Sequence, residues 1–462
     1  MNTVNQRSGT PLVGRVPTFV VSLTTDFLLE GGAMTSMSPI HPQSFLGRLL
    51  AHQPLITSTG KELVRTIPYQ VGNEQAGGKI PVQAILVSID NGNDALKGAI
   101  LHAREPLLRT RRIVTAYAPA RTIRAGEGIT TWQVNDSEPF WIGEDAVLAD
   151  KTESLPIGMT EDRLDDQRFR HFLSACLVEL LIDAGYRTRP GEPQGTYNLF
   201  VSLGIPPEEL DRRGPKESVR RALLSLLNTP VTVRRCDEQD QNTTWALRLI
   251  DITPYPQTFA SFVSWYYTLD GLPIETDIVK HVTLDIGGGH LHECRIDLTH
   301  QTAGKPKLRM SASLLGEGTI AMARAVRETI RARYPGVQLS DVLAQQVLTS
   351  GAVIIEGRRV RVDEVIAEVI NARSQQLFAQ LLSLLQERQN FVMFTGGGSL
   401  LLSHSLRRLV STKRSLNSVL FVPDAFAPVL NAIGGYVLAQ ASAQRLMSQR
   451  SATDSVMGRQ YE

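Results

Sequence analysis

The sequence predicts a mixed α/β fold made of two similar halves that face each other across a cleft. Two observations carry this prediction. Strands alternate with helices from about residue 82 to residue 446. One local arrangement also occurs twice, at Asp90 and at Asp285: a strand that ends in aspartate, a glycine turn and a returning strand. Equivalent turns in two facing halves would lie on either side of one ligand.

The bulk properties exclude several classes of protein. A chain of 462 residues is too long for one hydrophobic core, so we expect two or more domains. A formal charge of +2 gives no electrostatic reason to expect nucleic acid or a membrane as the main partner. Three distant cysteines suit a reducing compartment, and neither a transmembrane run nor a secretory signal is recognisable. We therefore expect a cytoplasmic protein.

The first half is expected over residues 81–280, after an N-terminal extension, partly disordered, over residues 1–80. An apolar strand over residues 84–90 leads into the turn signal Asn91-Gly92, and a second strand returns over residues 96–101. An amphipathic helix follows, with apolar side chains from Phe169 to Leu181 on one face. The next strand ends at Gly204.

The second half is expected over residues 281–446 and begins with "HVTLDIGGGHLHECRIDL". Apolar and polar residues alternate after the three glycines, which is typical of a strand. Helices are predicted over residues 319–334 and 363–388, and a strand then enters a third glycine turn at residues 396–398. The last helix, residues 427–446, is expected to return to the first half, before a disordered tail over residues 447–462.

The three glycine turns suggest a common ligand. Turns without side-chain bulk expose backbone N–H groups, which can bind phosphate oxygens. A neighbouring carboxylate repels phosphate unless a divalent cation lies between them, so Asp90 and Asp285 would hold Mg²⁺, largely through water. Lys97 would place a positive charge on the phosphates, and the third turn would admit a flat base. The sequence therefore predicts a nucleoside triphosphate site.

Several motifs resemble those of one superfamily. "IDNGNDALKGAI" resembles the first phosphate motif of actin, including a lysine seven residues after the aspartate. "LDIGGGHLHECRI" and "FTGGGSLL" are similar to the second phosphate motif and the adenosine motif of the actin, sugar kinase and heat-shock-70 superfamily. "LFVSLGIPPEEL" and "VPDAFAPVLNAIGGYVLA" resemble segments of ParM-type plasmid-segregation actins. The resemblance implies a two-lobed actin-like fold, a duplicated ribonuclease H-like fold, with the nucleotide in the interdomain cleft.

The resemblance also implies residue roles. It makes Asp90, Asp285 and Gln257 catalytic; Gln257 would position the attacking water, and the two aspartates would also bind the metal. The implied phosphate-binding residues are Asn91, Gly92, Asn93, Lys97, Gly287, Gly288, Gly289 and His290. The implied adenosine-binding residues are Gly316, Gly396, Gly397, Gly398 and Ser399.

Two of these positions have alternative interpretations. Gln257 could instead be a buried glutamine that supports the turn at residues 254–256. His290 stands where threonine is common after the glycines, and it shares a strand face with His292, as two zinc ligands would.

The function implied by the resemblance is that of an ATP-dependent, filament-forming actin-like protein. Mg-ATP hydrolysis would be coupled to polymer dynamics, in plasmid or DNA segregation or another form of cytoskeletal positioning, with GTP as the alternative nucleotide. The expected partners are further copies of the chain and an adaptor that links the filament to DNA cargo; neither base-specific DNA binding nor membrane binding is expected. Two alternatives stay open: a small-molecule kinase of the same superfamily, and a nucleotide-binding scaffold that hydrolyses poorly.

Overall fold

The computed structural model describes residues 40–458, with gaps at residues 74–77, 121–128, 148, 150–152, 155–165, 188–194, 207–219, 222–223, 228, 237–241, 299–300, 303–304, 307–308, 387–389 and 413–418.

Strands and helices alternate through this part of the chain. The strands are β1 Thr66–Asn73, β2 Gly78–Asn91, β3 Ala95–Leu101, β4 Leu108–Val114, β5 Ala116–Pro119, β6 Thr131–Val134, β7 Phe140–Ile142, β8 Glu153–Ser154, β9 Tyr197–Ile205, β10 Val231–Cys236, β11 Asn242–Pro256, β12 Lys280–Ile286, β13 His290–Asp297, β14 Gln301–Thr302, β15 Lys305–Pro306, β16 Arg309–Glu317, β17 Ala352–Ile355, β18 Arg358–Arg361, β19 Asn390–Thr395 and β20 Val419–Phe421. The helices are α1 Phe45–Leu50, α2 Gly143–Val147, α3 Gln167–Asp183, α4 Gln257–Tyr266, α5 Thr319–Arg333, α6 Asp341–Ser350, α7 Asp363–Gln386, α8 Gly397–Ser411 and α9 Leu430–Gly458, and a short 3₁₀ turn covers Ala427–Val429. None of the helices in the described residues is both long and apolar enough to cross a membrane.

Two large sheets share one pattern of strands. In the first sheet β4, β3, β2, β9 and β11 are neighbours in that order; in the second the order is β16, β13, β12, β19 and β20. The central strands β2 and β12 each have an antiparallel return strand on one side and a parallel strand on the other. The structure therefore confirms the predicted two-lobed, duplicated α/β architecture.

The register of the two sheets places the two aspartates at equivalent positions. Asp90 lies opposite Lys97 on the return strand and beside Gly204 on the parallel strand. Asp285 lies opposite His292 and beside Thr395 in the same way. Each aspartate is thus at the carboxyl end of a central strand, where open α/β sheets bind their ligands.

Apolar side chains form a core on each sheet and a third core that both sheets share. The first core packs α3 against β2 and β3, and another packs α5, α7 and α8 against β12 and β19. The shared core joins Leu86 of β2, Phe262 of α4, Phe391 of β19 and Ile433 of α9. The two sheets are therefore connected by buried apolar contacts as well as by the chain.

Residues 45–73 belong to the shared core, although the sequence predicted an extension through residue 80. Phe45 and Leu46 of α1, Leu63, and Ile67 of β1 are buried in it. β1 pairs along its length with β2, and the Gln440 side chain of α9 accepts a hydrogen bond from Val64 N at 2.9 Å. These apolar residues belong to the same core as residues of α4 and α9, so this part of the chain is folded.

Helix α9 is longer than predicted and packs tightly on α4. It continues through Gly458, so residues 447–458 of the predicted disordered tail are helical; residues 459–462 lie outside the described part. At the crossing, a β-carbon added to Gly434 would lie 1.6 Å from the carbonyl oxygen of Ala260. Only glycine permits this approach. The same helix contacts β2, so it reaches the first sheet.

Candidate functional site

The carboxyl ends of β2 and β12 open into one cleft between the two sheets. Predicted site residues form most of its lining: Asp90, Asn91, Gly92, Asn93, Lys97, Gln257, Asp285, Gly287, Gly288, Gly289, His290, Gly396 and Gly397. Pro206, His292, Pro428 and Asn431 complete it. Residues from the first, second and third glycine turns thus meet at one place.

Asp90 is the acid of the first turn, and it is almost fully buried. Its Oδ1 accepts a hydrogen bond from Gln257 Nε2 at 2.7 Å, and its Oδ2 lies 3.8 Å from Lys97 Nζ. Burial raises the pKa of Asp90 to about 6; Lys97 opposes this shift, and the negative charge of Asp285 adds to it. A buried carboxylate whose ionisation is opposed by burial and by a second carboxylate forms part of a site suited to a cation.

Gln257 is the first residue of α4, directly after Pro256 ends β11. Its side chain is 7% exposed and lines the cleft. The amide nitrogen reaches Asp90 and, at 3.5 Å, the carbonyl of Asn91. These contacts connect α4 to the end of β2. Under the alternative interpretation, the Gln257 side chain would instead support the turn at residues 254–256.

Asp285, the acid of the second turn, is held from the opposite direction. Asn431 Nδ2 donates a hydrogen bond to its Oδ2 at 2.7 Å. Its Oδ1 lies against Gly396, where an added β-carbon would come within 2.3 Å. The backbone of Gly396 also has a φ angle of +84°, which residues other than glycine rarely adopt. The third turn therefore contributes a close backbone contact to the second acid.

Asn431 was missed as a site residue, although it lies in the quoted "VPDAFAPVLNAIGGYVLA" segment. Its Oδ1 accepts a hydrogen bond from Ser261 Oγ at 2.6 Å, and its main-chain carbonyl accepts one from Tyr255 OH at 3.2 Å. The sequence does contain a signal for this residue, because Asn431 is a polar residue in a helix start that otherwise consists of apolar and small residues.

The second glycine turn is fixed by the start of α5. The main-chain N–H groups of Gly318, Thr319 and Ile320 donate hydrogen bonds of 2.8–3.0 Å to the carbonyls of the three glycines, Gly287, Gly288 and Gly289. His290 closes the turn, because its carbonyl accepts from Gly287 N at 2.9 Å. His290 and His292 lie 5.5 Å apart between ring centres, and no group of three metal-binding side chains occurs within the described ranges.

The first turn approaches the second turn directly. A β-carbon at Gly288 would lie 2.4 Å from the β-carbon of Asp94, and one at Gly289 would lie 2.2 Å from Asn93 Nδ2. Side chains of the first turn therefore occupy the space beside these glycines. Asp94 was given no role from the sequence, although an acid inside a turn predicted to bind phosphate is an identifiable signal.

Three of the residues predicted to bind adenosine are not among the residues that line the cleft: Gly316, Gly398 and Ser399. Ser399 Oγ donates to the Gly396 carbonyl at 2.7 Å, and Gly398 packs against Ile286. Gly316 lies on β16 beside Arg373, whose Nη2 donates to the Glu317 carbonyl at 2.6 Å. Of the five predicted residues, Gly396 and Gly397 line the cleft.

A second cavity, of about 410 Å³, adjoins the cleft and shares Gly397 and Pro428 with it. Part of its wall is apolar, formed by Val114, Val147, Leu348, Leu400 and Leu401. Polar side chains such as Gln345, Gln346 and Thr349 lie on α6 at another side. A charged cleft thus continues into a larger and more apolar cavity.

The groups in the cleft fit a phosphate chain with a divalent cation. Mg²⁺ prefers oxygen ligands, and Asp90 and Asp285 supply two buried carboxylates from opposite sheets. Lys97 is kept charged although burial favours its neutral form, because Asp94, Asp90 and Asp285 raise its pKa above the ordinary value. Asp90 and Asp285 are the residues that can hold such an ion.

Comparison with known proteins agrees with the fold described above. Residues 283–408 match the family described as archaeal actin homologue MreB-like, C-terminal. A non-polymerisable quadruple mutant of pCBH ParM superposes with a TM-score of 0.57 at 14% identity, covering 77% of this chain and 99% of that one. The archaeal actin homologue Ta0583 gives 0.54 at 17%, covering 78% and 99%, and Bacillus thuringiensis ParM with AMPPNP gives 0.53 at 13%, covering 78% and 99%. No curated protein matches the sequence. The chain therefore has the actin-like fold, and its second lobe is similar in sequence to the C-terminal domain of archaeal MreB-like actin homologues.

Proposed function

We propose that this protein is an ATP-dependent, filament-forming actin-like protein in which Mg-ATP hydrolysis controls the lifetime of the polymer. The observation that carries the proposal is the meeting of two acid-bearing glycine turns, from equivalent positions of two equivalent sheets, with Lys97 and Gln257 in one cleft. Segregation of plasmid or other DNA through an adaptor, or another positioning task, is the use we infer for the filament.

Each part of the cleft would take a different part of the nucleotide. Lys97 and the turns at residues 91–93 and 287–289 would bind the phosphates. Asp90 and Asp285 would hold Mg²⁺, largely through water, and this ion would neutralise charge on the phosphate oxygens. The ribose and base would extend past Gly397 into the adjoining cavity, where Leu400 and Leu401 offer apolar surface.

Gln257 is the residue that we propose orients the attacking water. Its side-chain amide is already held by Asp90, so its orientation is fixed before a nucleotide binds. Phosphoryl transfer to water depends mainly on positioning and on charge stabilisation, and an amide can do the first without acting as a base.

The names of structural relatives support nucleotide binding and polymerisation. Ta0583 was solved in complex with ADP, and Bacillus thuringiensis ParM was solved with ATP and with AMPPNP. The pCBH relative is a non-polymerisable mutant. These relatives share the fold of this chain at 13–17% identity, and we infer nucleotide binding and assembly for this chain from its own cleft together with that fold.

The test compares the parent protein with Gln257→Ala and with Gln53→Ala, a control at an exposed glutamine. Light scattering and phosphate release are recorded on the same sample after Mg-ATP is added, and filaments are checked by negative-stain microscopy. We expect Gln257→Ala to bind ATP and assemble, but to release phosphate about 10- to 1,000-fold more slowly, as for other orienting groups. Its polymers should outlive those of the parent.

The outcomes separate the alternatives. A kinase would give no polymer with either protein, and a scaffold would give negligible phosphate release from the parent. Normal phosphate release from Gln257→Ala would remove this residue from the mechanism, while leaving the filament assignment intact.

A further inference from the structure

Asp94 lies between the two sheets and forms ion pairs with two cations. Its Oδ1 is 3.2 Å from Lys97 Nζ, and its Oδ2 is 3.5 Å from Arg112 Nη2. Lys97 Nζ is farther, 3.8 Å, from Asp90 Oδ2. The lysine that we assign to the phosphates is therefore held more closely by Asp94 than by Asp90.

The carboxylate of Asp94 is charged in this setting. Burial opposes its ionisation, but Lys97 and Arg112 outweigh burial and place the pKa of Asp94 below its ordinary value. Three carboxylates, those of Asp90, Asp94 and Asp285, consequently share the buried ammonium group of Lys97. A phosphate chain that enters the cleft meets an excess of negative charge.

Asp94 also takes up space at the second turn. Its β-carbon is so close to Gly288 that a β-carbon on this glycine would lie 2.4 Å away. The Asp94 side chain thus fills the space on the side of Gly288 where a side chain would otherwise lie. Asp94 therefore competes with phosphate for the charge of Lys97 from a position packed against the second glycine turn.

We propose that Asp94 is an internal competitor of the nucleotide phosphates, which must displace its carboxylate from Lys97 and Gly288 in order to bind. The proposal rests on the proposed function, because its ligand is the nucleotide of the same cleft. Arg112 receives the displaced carboxylate: both side chains line the adjoining cavity, and that of Arg112 is 43% exposed, so the ion pair can shift without breaking. Asp94 thereby sets the affinity, since binding is weakened by the fraction of time in which the carboxylate holds the site.

The test measures dissociation constants of a fluorescent ATP analogue with Mg²⁺ for the full-length parent, Asp94→Asn and the control Asp136→Asn. Asp136 is exposed, so its variant makes the same change in net charge outside the cleft. Asp94→Asn keeps the size of the side chain and removes its charge, and we expect affinity to rise roughly 10-fold or more. Asp136→Asn should bind as the parent does.

Arg112→Gln provides a second and opposite test. Without Arg112 the displaced carboxylate has no partner, so this variant should bind the analogue more weakly than the parent. In the Asp94→Asn background the same substitution should have little effect, because no carboxylate has to be received. An equal loss in both backgrounds would mean that Arg112 contacts the nucleotide itself, and would overturn the displacement.

Failure of this proposal is distinguishable from failure of the proposed function. Unchanged or weaker binding by Asp94→Asn, with a parent that binds the analogue, overturns the role of Asp94 and leaves the nucleotide site standing. A parent that binds no nucleotide overturns both. Should Asp94→Asn melt at a much lower temperature than the parent, Asp94→Ser makes the same test with a smaller side chain.

Discussion

Asn431 shows how single side chains hold the cleft in place. It donates a hydrogen bond to Asp285, accepts one from Ser261 of α4, and its carbonyl accepts one from Tyr255 at the end of β11. One residue at the start of α9 therefore fixes an acid of the second sheet relative to β11 of the first sheet and to α4, the helix that follows β11. Removing one member of such a buried hydrogen-bond network lowers the stability of the fold, because each group that bonded to it is left without that partner.

Replacing Asn431 by aspartate should turn this support into repulsion. The new carboxylate would face Asp285 Oδ2 at about 2.7 Å, and the loss of a hydrogen bond to a charged group costs about 1–3 kcal/mol. We expect Asn431→Asp to melt at a lower temperature than the parent in EDTA. Added Mg²⁺ should recover part of the loss, because a cation offsets the second carboxylate.

Asn371→Asp is the matched control for this prediction, because Asn371 also accepts a hydrogen bond from a serine, Ser405 Oγ at 2.9 Å, in the second lobe. Its melting temperature should not depend on Mg²⁺. Equal recovery in both variants would argue against a cation site at Asp285.

Sequence reasoning at the residue scale found the groups that lie next to strand ends. Asp90, Asp285 and Lys97 are identifiable because short motifs contain them and because three glycine turns follow one another in a specific order and spacing. Asn431 and Asp94 were missed because their importance comes from what lies opposite them. Asn431 meets Asp285 across 146 residues of sequence, and Asp94 meets Gly288 across the cleft. No local pattern contains these partners.

At the scale of elements, the pair of helices α4 and α9 carries the site. α4 begins with Gln257, and α9 has Asn431 as its second residue. Their crossing at Ala260 and Gly434 is tight because neither residue has a bulky side chain. The distance between Gln257 and Asn431 is therefore set by this crossing.

Gly434→Ala should separate these helices. The added methyl group would lie 1.6 Å from the Ala260 carbonyl oxygen, and such overpacking typically costs about 1–3 kcal/mol. We expect a lower melting temperature and slower phosphate release in the same variant, since α4 and α9 both carry cleft residues. Gly72→Ala, which meets only open space on β1, is the control and should leave both quantities unchanged.

A Gly434→Ala variant that melts lower but hydrolyses ATP at the parent rate would show that the crossing supports folding without positioning Gln257.

Periodicity predicted the existence of elements better than their ends. The helix expected over residues 319–334 is α5, Thr319–Arg333. It begins directly after Gly318, and its observed end lies one residue before the expected end. The third glycine turn also proved to be the start of α8, because Gly396 allows the sharp change of direction between β19 and the helix. The end of α9 was placed too early, as serine and glutamine residues that looked like a tail continue its helical turns through Gly458.

At the scale of the whole molecule, the two lobes are joined by a common core that begins with α1. Phe45 and Leu46 pack with residues of α4, β19 and α9, so segment 45–73 helps to cover elements from both sheets. No periodic pattern in this segment is strong enough to assign it to the core from sequence alone. Its apolar residues are few and separated by turn residues, and only the tertiary contacts reveal their place.

Two truncations should behave differently for this reason. A chain that begins at residue 40 keeps the whole segment, whereas a chain that begins at residue 78 loses α1 and β1 and exposes their apolar partners. We expect the longer chain to melt cooperatively and the shorter one to lose cooperative melting or aggregate. Comparison of the two isolates residues 40–77. A cooperative transition in the shorter chain would mean that the segment is an addition to an already complete fold.

The shared core also restricts how the lobes can move. The shared core contains side chains from both sheets and from two helices, namely Leu86, Phe262, Phe391 and Ile433. Swinging the lobes apart would open a void between these side chains. Voids in close-packed interiors are costly. A sliding rotation about the core keeps most of these contacts. We therefore expect nucleotide exchange to proceed by a swivel, that is, a rotation of one lobe relative to the other about the shared core. Spin labels on exposed positions of both lobes would reveal it as a change in relative orientation, with the distance across the core nearly constant; a large increase in that distance would contradict the swivel.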